Sequence, residues 1–127
     1  MTKQQMIDLV ERYFQGVDAM NFVEIVDTLD GDCEFTVETH GVRLQGIAEI
    51  ERMFQRLWDD HAAVRHQNFL FVSDAEESCI AVQFSVVNTH HDGSETHKSN
   101  CNFFEIHNDR FSRIAVYMAG DNTLISD

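Results

Sequence analysis

Ile80-Ala81-Val82-Gln83-Phe84-Ser85-Val86-Val87-Asn88-Thr89-His90 alternates as a strand does, and one of its faces changes character along its length. Successive strand side chains point to opposite faces, so Ile80, Val82, Phe84 and Val86 share a face that continues into Asn88 and His90. The segment Asn100-Cys101-Asn102-Phe103-Phe104-Glu105-Ile106 repeats the pattern, with Asn100 and Asn102 on the face of Phe104 and Ile106. By the same parity His66-Gln67-Asn68-Phe69-Leu70-Phe71-Val72 joins His66 and Asn68 to Leu70 and Val72. Three strands thus read apolar at one end and amide or imidazole at the other. A buried amide left without a partner costs about 1–3 kcal/mol. These groups must therefore meet one another, water or a ligand. The reading is a half-polar pocket inside a small sheet protein.

The elements on either side give that sheet its setting. Met6, Leu9, Val10, Tyr13, Phe14 and Val17 form a helical stripe, opened by a capping box of Thr2 and Gln5. A short helix follows Asn21, and a third begins after Gly46 with Ile50, Met53, Phe54, Leu57 and Trp58 on its apolar side. Between them Cys33–Glu38 and Val42–Leu44 read as two short strands. Strands are expected near 65–73, 77–90, 95–107 and 110–118. A loop of Asp92, Gly93 and Ser94, or a bulge, would pair Asn102 with Phe84 and align the two apolar faces. The order implies one α+β domain spanning residues 1–127, a cone of curved, mostly antiparallel sheet wrapped on three helices.

Composition narrows the partners. Nine basic and 22 acidic residues give a formal charge of -13, which argues against nucleic acid and anionic membrane surfaces. Cys33, Cys79 and Cys101 are odd in number and lack metal-ligand spacing, so reduced thiols and a cytoplasmic location are expected. His90, His91, Asp92 and His97 gather near one hairpin, but His90 and His91 point to opposite faces. No metal and no cofactor are expected.

The chain resembles the nuclear transport factor 2-like superfamily in its SnoaL-like cyclase and ketosteroid isomerase branch. The resemblance rests on Glu11-Arg12-Tyr13-Phe14 with Val17-Asp18, on Leu29-Asp30-Gly31-Asp32, on Gly46, and on Asp109-Arg110-Phe111 through Tyr117. It implies the cystatin-like α+β barrel and a single SnoaL-like domain over nearly the whole chain. It also implies a homodimer through the outer sheet face, here Gln83, Ser85, Val87, Cys101 and Phe103 with Phe69 and Phe71. The isomerase's oxyanion Tyr falls on Tyr13 and its second oxyanion donor on Asn102, while its general base falls on the apolar Val37. Steroid isomerisation by the usual route is therefore not expected.

His66 is the replacement base, with His90 behind it, because imidazole titrates near neutral pH. No pocket carboxylate is expected to pair with it. The expected catalytic set is His66, Tyr13 and Asn102, walled by Asn68, Trp58, Phe14, Phe54, Phe104, His90, Asn100 and Tyr117. The ligand would be a small apolar or aromatic molecule bearing one or two oxygens, handled by a cofactor-free isomerase, lyase or cyclase. The alternative is a non-catalytic ligand-binding or dimerisation domain of the same fold.

Overall fold

Thr2 accepts the Gln5 main-chain N–H at 3.1 Å and Gln5 returns a bond to the Thr2 N–H at 2.9 Å, so the capping box starts helix α1, Lys3–Asp18. In the computed structural model, which describes residues 1–124, α1 is followed by α2 (Phe22–Val26), β1 (Leu29–Val37) and β2 (Val42–Gln45). Then come α3 (Ile47–Asp60), β3 (Ala63–Asp74), β4 (Cys79–Thr89), β5 (Glu95–His107) and β6 (Arg110–Tyr117). Gly16 lets α2 approach α1: a Cβ there would lie 2.8 Å from Ile25 Cγ1. Strand β1 begins four residues earlier than the alternation suggested. The early part is irregular, with the Asp32 N–H turned onto Asp30 Oδ1 at 2.9 Å.

The sheet runs β2-β1-β6-β5-β4-β3, antiparallel throughout except that β1 lies parallel to β6. Its inner face packs on the helices around a cluster of aromatic rings. Tyr13 meets Phe14, Phe54, Phe104 and Phe111 edge-on at centroid distances of 5.0–6.2 Å. Edge-to-face pairs of this kind are favoured by the ring quadrupoles.

Two registers differ from expectation. The β4–β5 loop is His91-Asp92-Gly93, closed by the His90 N–H on the Ser94 carbonyl at 2.8 Å, with Gly93 at φ 89°. It has the expected length but sits one residue earlier, so Asn102 pairs with Val82 and Asn100 with Phe84. A shift of two leaves the parity intact, and both amides still face inward with the apolar row.

Strand β3 departs further. Its pairing with β4 slips between Gln67 and Leu70, and Asn68 sits at φ 59°. A bulge inserts one residue and reverses the faces beyond it. Phe69 and Phe71 therefore turn inward, Phe69 stacking on Phe14 at 5.2 Å, while Leu70 and Val72 are 59% and 67% exposed. The expected assignment of these four side chains is thus inverted, and Asn68 is exposed.

Candidate functional site

Strand β3 is an edge strand, so alternate N–H groups have no ladder partner. At His66 that N–H donates to Asp18 Oδ2 at 2.9 Å, and the ring Nδ1 of the same residue meets Asp18 Oδ1 at 2.6 Å. One carboxylate at the last residue of α1 thus holds both the main chain and the ring of His66. The arrangement puts the ring proton on Nδ1, donated to the carboxylate, and leaves Nε2 as the basic nitrogen. Nε2 makes no hydrogen bond among the described residues. Phe14 and Phe84 flank the ring at centroid distances of 4.7 and 5.3 Å.

His66 opens onto a cavity of about 30 Å³ between the helices and the sheet. Its polar lining is Tyr13, His66, Asn88, Asn100, Asn102 and Thr123, set among apolar side chains that include Phe14, Phe35, Phe54 and Phe84. The cavity thus brings together the three residues expected to carry the chemistry. Asn102 is buried, and its Oδ1 has no hydrogen-bond partner among the described residues. Asn100 Oδ1 accepts the Ala119 N–H at 3.0 Å. The Asn88 side chain, which shares this face without having been given a role, is also buried there. Burial raises the Tyr13 hydroxyl well above the usual tyrosine range, with the Cys33 thiol adding to the effect, so it stays a neutral donor.

Of the expected wall, Phe14, Phe54 and Asn100 line the cavity. The remainder lie elsewhere. Asn68 is carried outward by the bulge, with its amide 3.5 Å from Ser85 Oγ. Tyr117 pairs with Cys101 on the outer face and is 45% exposed. Phe104 is fully buried behind Tyr13. Trp58 stacks on Phe54 at 5.7 Å and donates its Nε1–H to the Val17 carbonyl at 3.1 Å, as core. His90 sits beyond the cavity, with Nε2 2.6 Å from Thr96 Oγ1 and its ring 5.3 Å from that of His61.

The expectation that no carboxylate pairs with the histidine is corrected by Asp18. Two features of its position are consistent with this role, although neither names its partner. Asp18 stands one helical turn after Phe14, on the same side of α1. It also places a negative charge at a helix C-terminus, where the macrodipole disfavours it. Among the described residues no group of His, Cys, Asp or Glu side chains is gathered for a metal ion. No helix among them is long and apolar enough to cross a membrane.

This architecture is that of the nuclear transport factor 2-like α+β proteins, a curved sheet closed over helices with a cavity between. The chain belongs to the SnoaL-like domain family, whose pattern matches residues 10–114. No protein of curated function matches it in sequence. A candidate polyketide cyclase from Xanthomonas campestris pv. campestris superposes with a TM-score of 0.83 at 17% identity, over 91% of this chain and 90% of that one. TerC, crystallised with polyporic acid, gives 0.79 at 13% identity over 91% and 92% of the two chains. A candidate ketosteroid isomerase from Kribbella flavida gives 0.76 at 18% identity over 94% and 81%. At these identities the likeness concerns the fold.

Proposed function

We propose that the cavity binds an aromatic or apolar molecule with a carbonyl or hydroxyl group, and that His66 moves a proton on it. The observation that carries this reading is the 2.6 Å Asp18–His66 contact on a cavity that Asn102 also lines, where the Asn102 Oδ1, unpartnered among the described residues, is free to accept from a ligand hydroxyl. A carboxylate-oriented imidazole is a general base. The Asn102 Nδ2–H2 group and the neutral Tyr13 hydroxyl are donors for oxygen that gains negative charge as a proton leaves. The reaction class is a cofactor-free isomerisation, elimination or cyclisation. The structural likeness to a protein crystallised with polyporic acid, and to candidate cyclases and isomerases, supports an aromatic or polycyclic ligand.

The test uses a small aromatic carbon acid, 5-nitrobenzisoxazole. A base removes its ring C–H, the electrons close a nitrile, and the N–O bond breaks to leave a phenolate. The protein should accelerate this opening, and His66→Gln should slow it by roughly two to four orders of magnitude. An unchanged rate in that variant would make His66 structural. The small free volume favours one other reading, a domain that holds a ligand without turning it over. Saturable binding of the reaction product with no turnover would single that reading out.

A further inference from the structure

A cavity of about 30 Å³ has room for roughly one water molecule, far less than an aromatic ring requires. The chain segment after β6 is what closes it. Met118 is buried, and its N–H donates to Thr39 Oγ1 at 3.3 Å. The Ala119 N–H donates to Asn100 Oδ1 at 3.0 Å, and the Gly120 carbonyl meets His40 Nε2 at 3.0 Å. The Lys98 ammonium donates to the Asp121 carbonyl. Thr123 and Leu124 then complete the cavity wall, with Leu124 packed against the core.

One of these anchors, Asn100, lines the cavity, and Lys98 is the next residue along the same inward row. Lys98, Asn100 and Asn102 form one inward row along β5, and all three are buried. The segment reaches the first two through main-chain groups alone, and it contributes neither helix nor strand pairing. It therefore lacks the cooperative bonding that makes a regular element hard to displace. A buried ammonium facing a neutral carbonyl is also incompletely compensated. Desolvation holds the Lys98 pKa below the ordinary lysine value, although the Asp121 charge opposes the shift. An anionic oxygen at the same place would form a stronger, charge-assisted bond.

We propose that residues 118–124 are a displaceable strap occupying the outer half of the ligand site. The ligand is an aromatic molecule whose acidic oxygen, a carboxylate or phenolate, replaces the Asp121 carbonyl on Lys98. The proposal rests on the reading of the cavity as a small-molecule site. It adds where the ligand enters and what its outer end carries. The overall negative charge does not prevent this, because the recognition is local and distant charges are screened within roughly 8 Å at physiological salt.

Two fluorescent probes that differ in charge test the proposal in the full-length chain. They are 8-anilinonaphthalene-1-sulfonate and its uncharged counterpart N-phenyl-1-naphthylamine. Gly120 turns the strap at φ 66°, a conformation that a β-branched residue resists. Gly120→Val should release the strap and tighten both probes by roughly tenfold or more, because less of the protein is held in the closed state. Lys98→Met should weaken the sulfonate by roughly tenfold while leaving the naphthylamine as tight as before or tighter. Thermal unfolding establishes that each variant is folded. If Gly120→Val fails to fold, Leu124→Ser replaces it with the same expectation. Equal affinities in wild type and strap variants would overturn the strap while leaving the cavity reading in place. Equal weakening of both probes by Lys98→Met would overturn the acidic ligand. Failure of both probes to bind any of the proteins would overturn the strap and the cavity reading together.

Discussion

Asp18 and Asn102 both sit where stability alone would not place them. A carboxylate at the end of α1 opposes the helix dipole, and Asn102 Oδ1 is buried without a partner among the described residues. Tyr13, His66 and Asn102 were legible because parity and helical spacing assign a face without tertiary information. Asp18 was not, since its partner is 48 residues away and only the packing of α1 on β3 joins them. The orphaned amide leads to a stability prediction. Asn102→Leu removes a desolvated polar group and orphans no protein partner, so stability should hold or rise in chemical denaturation. A loss of about 1–3 kcal/mol would instead mean that the amide belongs to a satisfied network.

Strand β3 is where the sequence reading failed, and Asn68 is the cause. Alternation predicts a face only while pairing stays in step, and one extra residue reverses every side chain after it. Nothing in His66-Gln67-Asn68-Phe69 marks a bulge except the asparagine, a residue that tolerates positive φ. The consequence bears on the site, because Phe69 would otherwise not reach Phe14 and Phe84, the two rings that flank His66. Asn68→Gly should leave stability nearly unchanged. Asn68→Val should cost about 1–2 kcal/mol, the penalty of a left-handed residue with a side chain, as read from urea midpoints. A valine variant as stable as wild type would show that the bulge does not need its positive φ. The β4–β5 hairpin fared better, since its loop moved the pairing by two residues and so left the inward face unchanged.

The molecule divides its outer sheet surface in two. Around β1 and β6, Arg113 faces Glu34, Glu38 and Glu105 at 3.2–3.6 Å, a charged region. Across β3 to β6 the bulge gathers Leu70 and Val72 with Ala81, Phe103 and Tyr117. Continuous apolar surface often marks a contact, and we propose that a second copy of the chain covers this one. Light scattering at micromolar concentration should give twice the chain mass of 14.6 kDa, and a monomeric mass would remove the dimer. The overall fold was legible because helix stripes, capping signals and strand order agree with one another. The closure of the cavity was not, because residues 118–124 carry no periodicity and make their polar anchors through main-chain groups.

The account stands on Asp18 orienting His66 toward the cavity. In Asp18→Asn only one side-chain oxygen remains to accept two donors, the His66 main-chain N–H and the ring Nδ1–H. If the oxygen stays on the main chain, the amide NH2 faces Nδ1 and drives the ring proton to Nε2, removing the base. The measurement is the rate of 5-nitrobenzisoxazole opening by the folded Asp18→Asn protein. It should fall by roughly tenfold or more, toward that of His66→Gln. A rate equal to wild type would mean that the dyad only holds α1 to β3 and that the cavity's chemistry, if it has any, lies with other residues.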